Sequence, residues 1–261
     1  MGNVVTGILI AILVAGVIFG GIKRIGLVAG RIVPIMVLIY LLGGLGILIK
    51  NYDKLGSIFN LIITDAFTGN AVVGGIVGEV IRQGIRRAVF SNEAGLGTEV
   101  MAHGAAKTKE PVREGLVAML GPFIDTILVC SITAFAILVS GVWNDPSLNG
   151  VTMTAKAFSQ ELGMVGDLIL FFAVFSFSIT TMFGQSYYGA KCTGFLLGSR
   201  WKEKYNWFYV LSTILGATVS ISIVINLIDG MYAIMAIPTM VSTILLAPKV
   251  MTETRRYFST L

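Results

Sequence analysis

The chain has 261 residues, of which 55% are hydrophobic and 13% are charged, and its mean hydropathy is +0.85. Soluble domains carry about 25% charged residues, so this composition excludes an ordinary water-soluble globule as well as disordered and collagen-like chains. The two cysteines exclude a disulfide scaffold, and the net charge of +5 is explained below by membrane topology.

Apolar runs that are long enough to cross a bilayer, about 20 residues each, recur along the chain and predict an all-α polytopic membrane protein. Six of them predict spanning helices: Val4–Gly20, Ile32–Ile49, Gly115–Val142, Val165–Gly184, Trp207–Ile225 and Ile228–Ala247. A further segment, Gly74–Ala106, is apolar but is interrupted by charges and glycines. Asn51–Gly69 and Val151–Gly163 each have one apolar helical face, which predicts interfacial helices, lids or simple connectors.

The positions of the basic residues predict the orientation, because lysine and arginine gather on the cytoplasmic side of membrane proteins. Basic clusters follow the first, fourth and last predicted spans and precede Gly115–Val142. They fall on one side only if Gly74–Ala106 also crosses the bilayer. The prediction is therefore a multi-pass protein of the cell membrane with seven crossings, an external amino terminus and a cytoplasmic carboxyl terminus. The basic charge reflects topology, and nucleic acid is not an expected partner.

A polar stretch interrupts Gly74–Ala106 and carries the strongest functional signal in the chain. It consists of Phe90, Ser91, Asn92, Glu93, Ala94 and Gly95. Backbone groups at membrane depth must be hydrogen-bonded, so a helix can break there only where it lines a cavity or is buried in protein. Secondary transporters bind solutes at such broken helices, and Glu93 would be an intramembrane carboxylate. We therefore predict a substrate site at this break.

The alternative is that the polar stretch belongs to a cytoplasmic loop after a shorter span, Ala71–Ile81. Three arginines favour that alternative, because basic residues are costly in a helix that faces lipid. They are Arg82, Arg86 and Arg87. If the segment does cross the membrane, these arginines would line a water-filled vestibule.

The run Phe90–Val112, followed by Arg113-Glu114-Gly115, resembles the signature of the alanine/glycine:cation symporter family of sodium–amino acid carriers. Shorter matches support the resemblance at Gly20–Ile25, Ile32–Met36, Phe123–Thr126, Ser186–Gly189 and Asp229–Met231. The resemblance implies a leucine-transporter-type fold of two inverted five-helix repeats with broken first and sixth helices. Residues 1–261 would then be a single transmembrane transporter domain equivalent to helices four to ten, truncated at its amino terminus. A separate chain could supply helices one to three.

The resemblance also implies ligands on the helix that would be the eighth of that fold. Thr180 and Thr181 match the family's hydroxyl pair at the sodium site, whose other half would come from helix one, and hydroxyl oxygens suit a hard cation. Gln185, one turn after Thr181, stands where the family usually has a tryptophan that closes on the substrate. The alternative is that these hydroxyls bond to carbonyls of their own helix.

These observations predict a non-enzyme: a sodium-coupled symporter of a small neutral amino acid, alanine or glycine, with sodium as coupling ion and no other cofactor. The expected partners are the amino acid, sodium and the lipid bilayer. One alternative is a structural or regulatory membrane fragment without transport. Another is an intramembrane hydrolase using a serine and His103, although the chain has no GxSxG motif. Asp125, inside Gly115–Val142, is expected to make a structural hydrogen bond.

Overall fold

A computed structural model describes residues 2–67 and 76–260, and all regular structure within those residues is helical. The helices are α1 (Asn3–Ile18), α2 (Gly21–Lys50), α3 (Tyr52–Phe67), α4 (Ile76–Asn92), α5 (Thr98–His103), α6 (Pro111–Ser140), α7 (Val151–Leu162), α8 (Met164–Leu197), α9 (Trp201–Gly216) and α10 (Ile221–Ser259). Within α6, residues Phe123–Cys130 form a π-helical stretch. The predicted all-α class is confirmed for the described residues.

Four of these helices, α2, α6, α8 and α10, are long and apolar enough to cross a membrane within the described part of the chain. They contain or largely overlap four of the predicted spans. The first predicted span corresponds to α1, which is apolar but has only 16 residues. The chain therefore has membrane-spanning helices, while the total of seven crossings stays a prediction.

The predicted span Trp207–Ile225 is wrong in its bounds. Helix α9 ends at Gly216, and α10 begins only at Ile221. Between them the chain turns, and Ser220 adopts an extended backbone conformation with a φ of −65° and a ψ of 138°. Hydropathy does not detect such a turn, because the residues that form it are mostly apolar or small.

The two segments predicted to be amphipathic are confirmed as helices. Asn51–Gly69 corresponds to α3, although its last two positions lie outside the described residues, as does Gly74 at the start of the predicted interrupted crossing. Val151–Gly163 corresponds to α7. Their location at the membrane interface stays a prediction.

The described residues divide into two compact units. The first unit comprises residues from Met1–Val33, Glu93–Met119 and Phe177–Leu261. In it α1 packs against α9, and a Cβ added to Gly7 would lie 2.9 Å from the Cβ of Ala217. The small residue therefore permits close helix packing of the kind that membrane proteins use. The core of this unit consists of Ala11, Val14, Ile18, Ile25, Ile179, Phe183 and Val210.

The second unit comprises residues from Pro34–Asn92 and Leu120–Ser176. The Tyr40 hydroxyl and the Thr133 hydroxyl are 2.5 Å apart, and the Tyr40 ring stacks on Phe158 with centroids 5.3 Å apart. Asn51 donates a hydrogen bond of 2.9 Å to the Glu161 carboxylate. These contacts fix α2, α6 and α7 to one another around Phe158, which is fully buried.

Candidate functional site

The helix is interrupted, and the break consists largely of residues in left-handed backbone conformations. Helix α4 ends at Asn92 and α5 begins at Thr98. Between them, φ is +55° at Glu93, +80° at Gly95 and +86° at Gly97. Glycine adopts this region freely, whereas a residue with a Cβ is strained there. Glu93 is the sole non-glycine residue with a positive φ in the described residues.

The position of the break differs from the predicted Phe90–Gly95. Phe90, Ser91 and Asn92 are helical and belong to the end of α4, and the break extends to Gly97. The polar side chains of Ser91 and Asn92 do not unwind the end of α4, because both have hydrogen-bonding partners on α6. The prediction of a break is thus confirmed, and its boundaries are corrected by two to three residues.

In the second unit, consecutive residues of α4 contact consecutive residues of α6. The Ser91 hydroxyl donates a hydrogen bond of 2.6 Å to Oδ2 of Asp125. The Asn92 amide donates one of 3.1 Å to the Thr126 hydroxyl. All four side chains are partly buried, and Asp125 and Thr126 lie in the π-helical stretch of α6. Asp125 thus makes the hydrogen bond that was expected of it.

In the first unit, the break contacts α8 through Glu93. The Gln185 amide donates a hydrogen bond of 2.8 Å to Oε1 of Glu93, across 92 residues of sequence. The Tyr188 and Tyr232 side chains are close enough to interact electrostatically with the same carboxylate. An amide donor stabilises the carboxylate but does not neutralise it, so Glu93 remains able to bind a cationic group such as an ammonium.

Glu99, which was not predicted from the sequence, accepts hydrogen bonds from backbone N–H groups of the break. Its two carboxylate oxygens accept backbone N–H groups, from Gly95 at 3.3 Å and from Gly97 at 3.0 Å. A carboxylate favours the first turn of a helix, where N–H groups lack intrahelical partners. The signal in the sequence was the acidic residue two positions after a glycine pair at the start of a helix.

The hydroxyls of α8 have different surroundings. Thr180 is partly buried, and its hydroxyl donates a hydrogen bond of 3.2 Å to the Phe177 carbonyl of the same helix. Thr181 is exposed, and Gln185 lies one turn further along the same helix face. The structure therefore brings Gln185 to Glu93, and Thr181 lies four residues before Gln185 on α8. Ala94 and Gly95 are exposed at the break.

His103 is paired with a carboxylate rather than with a serine. Its Nδ1 lies 2.7 Å from Oε1 of Glu114. A serine hydrolase needs a histidine within hydrogen-bond reach of the nucleophile, and His103 shows no serine hydroxyl bound to it in the part of the chain that the structure describes. The described residues also contain no group of three or more histidine, cysteine, aspartate or glutamate side chains placed to hold a metal ion.

Long apolar helices are typical of polytopic membrane proteins, and a helix interrupted beside a carboxylate is typical of the membrane proteins that carry solutes. Comparison with known sequences identifies the family within this class. The chain belongs to the sodium:alanine symporter family, whose sequence profile matches residues 1–261.

Several relatives are similar along nearly the whole chain. The sodium/alanine symporter AgcS of Methanococcus maripaludis is 41% identical over 256 residues, which cover 97% of this chain and 56% of that protein. An uncharacterized transporter of Haemophilus influenzae is 38% identical over 262 residues, with 98% and 58% covered. The probable sodium/glutamine symporter GlnT of Bacillus subtilis is 32% identical over 255 residues, with 96% and 53% covered. The chain thus spans between half and three-fifths of the length of these relatives.

Proposed function

We propose that this chain takes part in the sodium-coupled symport of a small neutral amino acid, alanine or glycine, across the cell membrane. Membership in a family of symporters supports a transport function and not an enzymatic one. The observation that carries the proposal is the hydrogen bond between Gln185 and Glu93. It joins the break between α4 and α5 to α8, the helix that carries Thr180 and Thr181.

The chemistry of the break is complementary to an amino acid, which carries one ammonium and one carboxylate group. Glu93 supplies a negative charge for the ammonium. The N–H groups of Gly95 and Gly97, which Glu99 accepts in this structure, are groups that a carboxylate can bind. A substrate at the break would therefore contact Glu93, Ala94 and Gly95, with Thr181 and Gln185 on the α8 side. Phe90, Ser91 and Asn92 would support the break from the end of α4.

Sodium is the proposed coupling ion, held in part by the hydroxyls of Thr180 and Thr181. Oxygen ligands suit hard cations. The Thr180 hydroxyl donates a hydrogen bond of 3.2 Å to the Phe177 carbonyl, and its oxygen keeps lone pairs that could coordinate a cation. No organic cofactor is proposed.

The fold proposed for the membrane is of the leucine-transporter type, with residues 1–261 in one transporter domain. Seven crossings would be made by α1, α2, α4 with α5, α6, α8, α9 and α10, and the carboxyl terminus would be cytoplasmic. The interrupted crossing at α4 and α5 supports this fold, because broken helices are typical of such transporters.

Uptake of labelled alanine into proteoliposomes tests the proposal, with the chain supplemented by the segment that the resemblance assigns to helices one to three, because half of the sodium site would come from helix one. Accumulation should require an inward sodium gradient, should stop when choline replaces sodium, and should be inhibited by unlabelled glycine. Glu93→Gln keeps the size of the side chain and removes its charge, so it should raise the KM for alanine at least tenfold. Glu110→Gln is the matched control, because Glu110 forms an exposed ion pair with Arg256, and such pairs contribute little.

Uptake that is equal in sodium and in choline would contradict the proposal. Folded protein without any sodium-dependent uptake would instead favour the alternative, a structural or regulatory membrane fragment that does not transport.

A further inference from the structure

We propose that the turn between α8 and α9 carries a binding site for the headgroup of an anionic phospholipid. Four basic side chains would supply its positive charge, and we refer to them as the basic cluster: Lys191 near the end of α8, and Arg200, Lys202 and Lys204 at the start of α9. The site goes beyond the proposed function, because it shares no residue with the break or with the hydroxyls of α8 and it selects a lipid.

The first argument is the unbalanced charge of the basic cluster. Within the part of the chain that the structure describes, none of its four side chains forms an ion pair with a carboxylate. Glu203 is the one acidic residue between Lys191 and Lys204. Helix α8 is long and apolar enough to span a membrane, and clusters of four or more basic residues beside such a helix attract anionic lipids.

The second argument is the exposed apolar surface inside the same segment. The last three residues of α8 are Phe195, Leu196 and Leu197, and their exposed fractions are 89%, 75% and 61%. The chain then turns at Gly198, which has a φ of +91°, and the basic residues of α9 follow. Large exposed apolar side chains mark contact surfaces. Acyl chains would cover this surface while the headgroup meets the basic cluster, whereas a free phosphate could occupy only the charged part.

The third argument is that Lys202 is held against α8. A Cβ on Gly194 would clash with the Lys202 side chain, so the apolar stem of that lysine packs on α8 while its ammonium group remains available. Lys191 lies three residues before Gly194 and therefore on the same helix face. Side chains that are already ordered lose less entropy when they bind a ligand.

Two aromatic rings order the other ends of the basic cluster. The Lys204 ammonium lies 4.4 Å from the centroid of the Trp201 ring, and the Lys191 ammonium lies 5.5 Å from that of the Tyr187 ring. A cation over a ring keeps N–H donors for phosphate oxygens. Tryptophan and tyrosine are also enriched where a membrane meets water, which is where a headgroup lies.

The charge of the basic cluster selects the kind of lipid. A zwitterionic headgroup such as phosphatidylcholine brings its own cation next to the phosphate, and that cation is repelled by the cluster. Phosphatidylglycerol carries the phosphate without a cation, so its net negative charge is complementary. The predicted occupant is therefore an anionic phospholipid of the leaflet that faces the basic cluster.

Quenching of Trp201 fluorescence tests the site. The double variant Trp143→Phe, Trp207→Phe retains Trp201 as its one tryptophan. It is placed in phosphatidylcholine nanodiscs that contain a varied fraction of lipid with brominated acyl chains, which quench tryptophan on contact. Brominated phosphatidylglycerol should quench Trp201 at much lower fractions than brominated phosphatidylcholine does. The ratio of the two half-quenching fractions measures the preference for the anionic lipid.

Substitutions in the basic cluster should lower this ratio. Lys202→Gln should lower it about fivefold, because one positive charge near the headgroup is lost. Lys202→Arg retains the charge and should keep the ratio. The triple variant Arg200→Gln, Lys202→Gln, Lys204→Gln should show no preference.

The matched control removes three positive charges from another basic segment of the same unit. It is the triple variant Lys107→Gln, Lys109→Gln, Arg113→Gln, and it should keep the preference of the unaltered cluster. Thermal unfolding of each variant, measured in parallel, establishes that the proteins compared are folded.

The proposal is overturned if the two brominated lipids quench Trp201 equally, or if folded Lys202→Gln protein keeps the full ratio. An equal loss in the control triple variant would also overturn it, because net charge alone would then explain the preference. Abolition of the preference by inorganic phosphate at the concentration of the lipid would assign the basic cluster to a free anion. No readout here involves uptake, so failure of the proposed symport would leave this lipid site standing.

Discussion

At the level of single residues, the contact between Glu93 and Gln185 decides how the candidate site is assembled. Both side chains are partly buried, and one amide proton joins them at 2.8 Å. Removing either partner would leave a partly buried polar group without this hydrogen bond, which costs about 1 kcal/mol. Thr181 lies one helical turn before Gln185 on α8.

Thr181→Val should raise the sodium concentration that alanine uptake requires. The substitution keeps the shape of the side chain and removes a hydroxyl oxygen, at a cost of about 1–3 kcal/mol. This corresponds to a sodium half-saturation concentration that rises about ten- to hundredfold. Thr181→Ser retains the oxygen and should behave like the unaltered protein.

The measurement is initial uptake as a function of sodium concentration, at equal amounts of protein in the membrane. Because Thr181 is exposed in the structure, its substitution should not change the thermal unfolding midpoint. Unchanged sodium dependence in Thr181→Val would show that this hydroxyl has no role in binding the ion.

The sequence allowed only part of this site to be predicted. Glu93 could be singled out because a lone carboxylate in an apolar segment is costly. Its contact with Gln185 could not, because 92 residues separate the two and no local pattern encodes that pairing. Glu99 was missed for a different reason: its role depends on the positive φ angles of the glycines before it, which become apparent only in the folded backbone.

At the level of elements, the break between α4 and α5 depends on Gly97 more than on its polar residues. Gly97 has a φ of +86°, and a Cβ built on it would lie 2.9 Å from the Thr239 hydroxyl oxygen. The positive φ and the short distance to Thr239 both disfavour any residue larger than glycine at position 97. Polar Ser91 and Asn92 remain helical because α6 offers them partners, which is why a break predicted from polarity alone began too early.

Gly97→Ala should therefore destabilise the protein. Forcing a residue with a Cβ into the left-handed region costs about 1–2 kcal/mol, and the contact with Thr239 adds to it. Gly84→Ala is the matched control in the preceding helix, since nothing lies within 4 Å of a Cβ there and alanine is the better helix former by about 1 kcal/mol.

Thermal unfolding in detergent compares the two variants. The midpoint should fall for Gly97→Ala and should stay equal or rise for Gly84→Ala. Equal midpoints for both variants would mean that the left-handed conformation of Gly97 is not required for the fold.

Other elements also show which features of the fold a sequence pattern can predict and which it cannot. The helices α3 and α7 were predictable because their apolar faces repeat with helical spacing. The π-helical stretch FIDTILVC was not, since its apolar composition does not distinguish it from an ordinary α-helix. The turn between α9 and α10 lies inside an apolar run that predicts a single span, and Pro238 and Pro248 lie inside α10 without ending it.

At the level of the whole molecule, the hydrogen bonds on the two sides of the break lie in different compact units. Glu93, Glu99 and Gln185 belong to the first unit, and Asp125 with Thr126 belongs to the second. The hydrogen bond of Glu93 to Gln185 can therefore be altered by substitutions in the first unit, and that of Ser91 to Asp125 by substitutions in the second.

The topology of the chain can be tested with single cysteines. The natural cysteines, Cys130 and Cys192, are both exposed, so both are first replaced by alanine. Single cysteines are then introduced at exposed positions in loops or connecting helices and labelled with a maleimide that does not cross membranes. A cysteine that reacts in intact cells is external, and one that reacts only after permeabilisation is cytoplasmic.

With seven crossings and basic clusters inside, cysteines at Ser57 and Ser147 should label in intact cells, and cysteines at Thr108 and Ser199 should label only after permeabilisation. The pair Ser147 and Ser199 encloses α8, whose 34 residues extend about 50 Å at 1.5 Å per residue, more than the thickness of a bilayer core. The pair Ser57 and Thr108 encloses the interrupted segment of α4 and α5. Labelling of this second pair from the same side would remove the interrupted segment from the crossings, and with it the membrane-depth location that a substrate site at Glu93 requires.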